Sequence, residues 1–425
     1  MANVLIVGGG AAGLMAAGAA VRQGHKVTVL EHMDKPGQKI LVTGKGRCNV
    51  TNDCTAEEFL RHVRTNPRFL FSSLGAFPPT KTMELFEGLG VELKVERGRR
   101  VFPVSDKAEE IRLALLRYAE GAEIVHDGAK KLLLEPLAPA EEPAAAPEDP
   151  RHTKKKKPGP AARCVGVRGI SGKEYRADAV LVATGGLSYP TTGSTGDGYR
   201  MAAALGHEIV PPCGSLVPLV SGDDACRRMQ GLALKNVELT ALNGKNKVQF
   251  RDFGELLFTH FGVSGPLVLS ASAHLRHWDR EQYRLSIDLK PALDREKLEA
   301  RILRDLGENP NRDFEKILAG LVPHSMVPVI LERLEIPAGL KANSVTKAQR
   351  RALEEMLKGF TVSVTGPRPV AEAIVTSGGV KVNQVQPSTM ESKLTPGLYF
   401  AGEILDVDAY TGGFNLQIAW STGYV

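Results

Sequence analysis

The stretch NVLIVGGGAAGLMAAGAAVRQGHKVTVLE, Asn3 to Glu31, decides the fold. Val4 to Val7 form a short continuous apolar run, as a strand buried on both faces of a parallel sheet requires. Gly8, Gly10 and Gly13 follow at G-x-G-x-x-G spacing and lead into a helix rich in small residues, among them Ala12. Gly8 permits a tight turn, Gly10 lets a pyrophosphate approach the backbone, and Gly13 allows close helix–strand packing. The helix N-terminus presents N–H groups and a positive dipole end to phosphates. Val27 to Leu30 make the next strand, ending on Glu31, whose carboxylate suits ribose hydroxyls and disfavours a 2′-phosphate. A dinucleotide such as FAD or NAD is expected, rather than NADP.

Later segments choose between the two. LVATGG (181–186), with Thr184 and Gly185, resembles the second cofactor-proximal strand of two-dinucleotide-binding flavoproteins. LYFAGEILD resembles their C-terminal motif, in which an acid after Ala-Gly meets the ribityl chain or pyrophosphate; here Gly402 precedes Glu403. GGFNLQIA puts Gly412 and Gly413 at a helix start, so that Gly413, Phe414, Asn415 and Leu416 are expected to direct N–H groups at the flavin pyrimidine edge. Ala129, at the head of a strand-like run, joins these expected cofactor contacts. Three matches spread along the chain select FAD.

A second glycine-rich stretch, KPGQKILVTGKGRCNVTN (35–52), is not a Walker A loop, because Lys39 stands where that pattern needs a glycine. In flavoproteins of this architecture the segment after the ribose acid runs beneath the cofactor. Lys39 is then expected at the ribose or pyrophosphate, Thr43 and Gly44 at the phosphates, and Arg47, Cys48 and Asn49 near the ring.

The chain has 425 residues, 43% of them hydrophobic, enough for a large domain and a smaller one. Texture changes at about 192 and again at about 358. The fold class expected is α/β, a split Rossmann-like FAD-binding domain (1–191 and 359–425) carrying an inserted β-barrel-plus-helical substrate or cap domain (192–358). A Pro- and Lys-rich segment, 138–162, reads as a mobile loop, and its run Lys154 to Lys157 as a solvated or RNA-touching arm. The five cysteines include no C-x-x-C pair, which argues against a dithiol centre, a zinc knuckle or an iron–sulfur cluster. No apolar run approaches membrane-spanning length, and a cytoplasmic protein without a stable protein partner is expected. The net charge of +6 suits an anionic partner without demanding one.

These stretches, with GRRVFPVSDKA (98–108), GELLFTHFGVSGP (254–266) and TSGGVKVNQVQPSTMESK (376–393), resemble the bacterial YhiN/BaiN-like family of FAD-dependent oxidoreductases, also labelled aminoacetone-oxidase-like. The resemblance covers nearly the whole chain outside the Pro/Lys-rich loop. Two departures are Lys45, where relatives commonly have Gly or Asn, and Ala409-Tyr410, where Gly is more usual. The resemblance implies hydride transfer from reduced flavin to a C=C bond conjugated with a carbonyl, the substrate being a ribosomal RNA uridine or a steroid-like enone. Oxidation of small amines is the alternative. Cys48, Tyr189 and His260 are the candidate proton donors, and Arg99 and Arg100 candidate anchors for an anionic substrate. No second nucleotide fingerprint follows a strand, so NAD(P)H is expected to act as a transient electron donor, if at all.

Overall fold

The computed structural model describes residues 1–137 and 160–425. The expected mobile loop therefore lies outside the described residues apart from 160–162, and so does Lys154–Lys157. Two compact units divide the chain: Met1–Cys213 with Val375–Val425, and Gly214–Ile374.

The first unit is organised by a five-stranded parallel sheet. Its order is Leu398–Phe400, Ala179–Val182, β1 (Asn3–Val7), β2 (Lys26–Glu31) and Glu123–His126. The apolar run at β1 lies centrally, with Leu5 and Val7 in one buried cluster and Ile6 in another, so both faces of the strand are covered, which is why it lacks polar alternation. Helix α1 (Ala11–Arg22) follows directly. Its small residues are required: a Cβ at Gly18 would lie 2.1 Å from the ring of Tyr118, on the helix Ala108–Tyr118. The C-terminal helix, Phe414–Tyr424, comes equally close, since a Cβ at Gly423 would lie 2.4 Å from Ala12 O.

That C-terminal helix is buried over most of its length, including Gln417, Ser421 and Thr422. Its polar groups are satisfied in place. Gln417 accepts from the hydroxyls of Thr51 (2.6 Å) and Thr82 (2.8 Å) and donates to Phe77 O (3.0 Å). The Trp420 indole, with no exposed surface, donates to Val50 O at 2.9 Å. The segment after the second glycine loop is thereby fastened to the end of the chain.

The run from Glu123 to Pro136 divides between two sheets. Glu123–His126 edges the parallel sheet, while Ala129–Pro136 pairs antiparallel with Ala162–Gly169. Asp127 makes the corner, accepting from Gly128 N–H, Ser171 N–H and O–H, and Tyr175 O–H.

The second unit holds a seven-stranded antiparallel sheet, Phe360–Val364, Tyr283–Asp288, Ala233–Asn243, Val248–Thr259, Gly262–Ser264, Leu219–Val220 and Gly366–Pro367 in that order. Its first and last strands are separated in the chain by Thr365 alone. The sheet must therefore curl until its edges meet, as a barrel does. Helices Arg295–Gly307 and Lys347–Lys358 contribute Leu298, Ile302, Leu353 and Leu357 to the same core.

The unit bounds differ from the expected 192 and 358. The helix Asp197–Ala204 belongs to the first unit, where Tyr199 O–H reaches Glu403 O at 3.4 Å. At the other boundary, Phe360–Val364 pairs with Tyr283–Asp288 and so stays in the second unit.

Candidate cofactor and active site

The three fingerprint glycines meet different surroundings. Gly8 has φ +100°, and a Cβ there would lie 2.7 Å from Ala183 O. A Cβ at Gly13 would lie 1.9 Å from Gly8 O. At Gly10 a Cβ would meet nothing within 4 Å. Gly10 is also the N-cap of α1, which carries no side-chain cap. The backbone is thus closed around the first and third glycines and open at the second, beside a helix N-terminus. Glu31 is buried, with Oε2 accepting from Gly9 N–H and Oε1 from Met33 N–H, each at 2.8 Å. These bonds keep the carboxylate at the strand end, where its remaining lone pairs are available to hydroxyls.

The second glycine loop is built differently. Helix α2 (Gln38–Val42) ends in a run where Gly44, Lys45, Gly46 and Cys48 all have positive φ, between +56° and +84°. Lys45 and Cys48 hold this left-handed conformation with a Cβ, which costs each about 1 kcal/mol. The departure noted at Lys45 thus falls where Gly or Asn suits the backbone. Thr43 O–H donates to Ile40 O at 2.6 Å. The Arg47 guanidinium stacks over Phe102 and pairs with Glu96 and Asp106. Cys48 is 0% exposed, and burial pushes its thiol up to about 12. The Asn49 amide, oriented to satisfy both its ends, donates to Thr51 O and Val101 O and accepts from Gly413 N–H at 3.0 Å. The expected ring-proximal trio is therefore engaged by the protein itself.

Lys39 and Glu403 come together from opposite ends of the chain as an ion pair, with side chains 22% and 17% exposed. Ser188 bridges them, accepting from Lys39 Nζ (2.7 Å) and donating to Glu403 Oε1 (2.9 Å). Gly185 has φ +71° and lies beside Ser194. Thr184 Oγ1 is buried without a hydrogen-bond partner, against Gly198. A Cβ at Gly402 would lie 2.8 Å from that of Ala12, which joins the C-terminal motif to α1.

Gly413 has φ +95°, and a Cβ there would lie 2.3 Å from Thr51 O. The Asn415 side chain turns back on the preceding loop, bonding Ala409 N–H and O at 2.9 Å each. Phe414 is buried under the His62 ring, stacked at 4.5 Å, and Leu416 is half-buried. Asn52 donates to both Gly98 O (3.0 Å) and Gly412 O (3.1 Å), tying the arginine-bearing turn to this loop. Arg99 pairs with Glu58, and Arg99 and Arg100 are both exposed. Tyr189 is half-buried at φ +52°, next to Ser188. His260 is exposed, at the turn between Val248–Thr259 and Gly262–Ser264 in the other unit. Ala129 begins its strand opposite Gly169.

Ser188, Thr376 and Asn52 were not singled out from the sequence. Each follows or lies near a glycine-rich motif, but small polar residues beside glycines are common in any loop.

The family model described as HI0933-like protein Rossmann domain matches residues 2–132 and 157–425. The chain belongs to this family. Relatives in it include a 3-dehydro-bile acid delta(4,6)-reductase from Clostridium scindens, 30% identical over 100% of this chain and 98% of its own. Ribosomal RNA dihydrouridine synthases from Escherichia coli and Haemophilus influenzae are each 31% identical, over 99% of this chain and 96% of theirs. As a member of this family the chain is an FAD-dependent oxidoreductase with a parallel Rossmann-like sheet. The residues present fit the cofactor: an open backbone at Gly10, an uncapped helix start and a carboxylate at Glu31 suit a pyrophosphate and a ribose diol. Among the described residues no helix is long and apolar enough to cross a membrane.

Proposed function

We propose that this protein reduces a C=C bond conjugated with a carbonyl, and that its substrate is a uridine of ribosomal RNA. The full-length relatives named for rRNA dihydrouridine and for bile-acid reduction share that chemistry. The observation favouring RNA is the Asn52 tether, which holds the exposed Arg97–Arg100 turn beside the Gly412–Gly413 loop. Guanidinium groups there suit a phosphate backbone.

In this reading Gly8, Gly10, Ala12, Gly13 and Glu31 hold the adenosine and pyrophosphate end of FAD, and Lys39, Thr184, Gly185, Gly402 and Glu403 border its middle. The N-terminus of helix Phe414–Tyr424 faces the flavin. When bound, FAD supplies a hydride to the β-carbon of the conjugated carbonyl. The chain must then deliver a proton to the α-carbon. Tyr189 is the donor favoured, since it is half-buried on the turn next to Ser188. A thiol without exposed surface suits that task poorly, so Cys48→Ala is expected to retain turnover. Electron supply is assigned to NAD(P)H.

Mass spectrometry of ribosomal RNA from a strain lacking the gene tests the reading: one dihydrouridine should disappear and return with the gene. Unchanged dihydrouridine rejects it. The steroid-like enone is the second reading, supported by the near-equal identity to the bile-acid reductase. Turnover of an oxo-bile acid enone by the purified protein, with RNA unaltered, would favour it.

A further inference from the structure

Lys39, Ser188, Thr376 and Glu403 arrive from four separate stretches and share one carboxylate. Glu403 Oε2 pairs with Lys39, while Oε1 accepts from Ser188 O–H (2.9 Å) and from Thr376 N–H (2.7 Å). Thr376 Oγ1 in turn accepts the N–H groups of Leu187 (2.8 Å) and Ser188 (3.1 Å), the turn following the strand Ala179–Val182. The turn packs tightly against these groups at Gly186. A Cβ at Gly186 would lie 2.3 Å from Thr376 Oγ1 and 3.2 Å from Glu403 Oε1. The glycine at 186 is therefore required by the side chains on which its turn sits.

We propose that these four residues form one charge-compensated clamp on the cofactor face. Lys39 is the counter-ion that faces the Glu403 carboxylate in a mostly buried position. Ser188 and Thr376 are positioning residues that aim its carboxylate and seat the 185–188 turn. A carboxylate withdrawn from water is costly unless it is paired and hydrogen-bonded. Here one cation and two dipoles meet its oxygens, leaving part of its acceptor capacity for a ligand hydroxyl. Loss of Lys39 alone should strand the charge, whereas neutralising both partners should not. Thr376 stands second in the return segment Val375–Val425, so the clamp also joins the two halves of the split unit.

The inference rests on the proposed position of FAD against Glu403 and the 185–188 turn. The test measures FAD dissociation constants by flavin fluorescence, with melting temperatures of the apoproteins alongside. Lys39→Met should weaken FAD binding at least tenfold, and Lys39→Met/Glu403→Gln should bind no more weakly than Lys39→Met. Thr376→Val should lose at least fivefold, while Thr376→Ser, which keeps the hydroxyl, should stay within twofold of wild type. That rescue separates positioning from bulk packing. A double variant that binds more weakly than Lys39→Met, or a Thr376→Val protein that binds like wild type, overturns the clamp. Gly10→Ala is the control for the position itself: if it binds FAD normally, the position fails. If it loses FAD while the double variant binds more weakly than Lys39→Met, the clamp alone fails.

Discussion

Two glycine-rich loops lie within fifty residues of the N-terminus, and they use glycine for opposite ends. Around Gly8–Gly13 the backbone closes at the outer positions and leaves Gly10 facing open space. Around Thr43–Asn49 the chain runs through four left-handed residues, and the side chains of Thr43, Arg47 and Asn49 turn to protein partners. The first loop leaves N–H groups for a ligand. The second spends its hydrogen bonds on bringing Asn49 to the N-terminus of the last helix. A glycine count does not separate a ligand cradle from a structural turn; the fate of the neighbouring polar groups does.

Substitutions in the two loops should therefore differ in kind. Gly13→Ala carries the largest expected effect, because its Cβ would press on Gly8 O. Both FAD binding and folding should suffer, with about 1–3 kcal/mol or more lost in chemical denaturation. Gly10→Ala should instead lower FAD affinity tenfold or more while the apoprotein melts within about 3 °C of wild type, since the methyl meets no protein atom and the loss of an N-cap glycine, about 1 kcal/mol, moves the melting of so long a chain by only a few degrees. Equal melting losses at both positions would erase the distinction.

In the second loop Asn49→Ala should cost about 1–2 kcal/mol, because the Gly413 N–H loses its acceptor. Lys45→Gly should gain up to about 1 kcal/mol by relieving the left-handed backbone. Destabilisation by Lys45→Gly would mean that the lysine makes a contribution its exposed side chain does not reveal. Cys48 should resist iodoacetamide at pH 8 in the native protein and react on unfolding, as a buried thiol raised to about 12 must.

The smallest effect concerns acid, at a site outside both loops. Burial lowers the pKa of His207, whose ring meets Ser392 Oγ at 2.8 Å. Above its ordinary value of about 6.5 the ring is neutral folded and unfolded, so it adds no pH dependence. As pH falls through that value the unfolded chain takes up a proton that the native ring refuses, and stability declines. Melting between pH 7.5 and 5.5 should fall further in wild type than in His207→Gln.

Much of the cofactor fold was legible because its signals are local. A buried strand, a G-x-G-x-x-G turn, a small-residue helix and a terminal acid lie within Asn3–Glu31, and each is set by short-range sterics. The same was true of the helix opening at Gly413. The second loop was legible as a turn but not in its orientation. Arg47 is explained by Glu96 and Asp106, which stand on a strand and a turn that no local pattern links to it. Cys48 was the thiol singled out for chemistry, yet its burial depends on packing among segments as distant as the last helix.

The sequence by itself determined a split α/β fold opening on a dinucleotide cradle, and a chemistry set by its cofactor. Only the tertiary structure decided which polar groups remain for a ligand. Lys39 and Glu403 lie 364 positions apart, and only the packing of the helix Gln38–Val42 and of the turn after Leu398–Phe400 brings them together. Propensities and turns act over a few residues, whereas ion pairs and hydrogen bonds form between whatever groups packing makes neighbours.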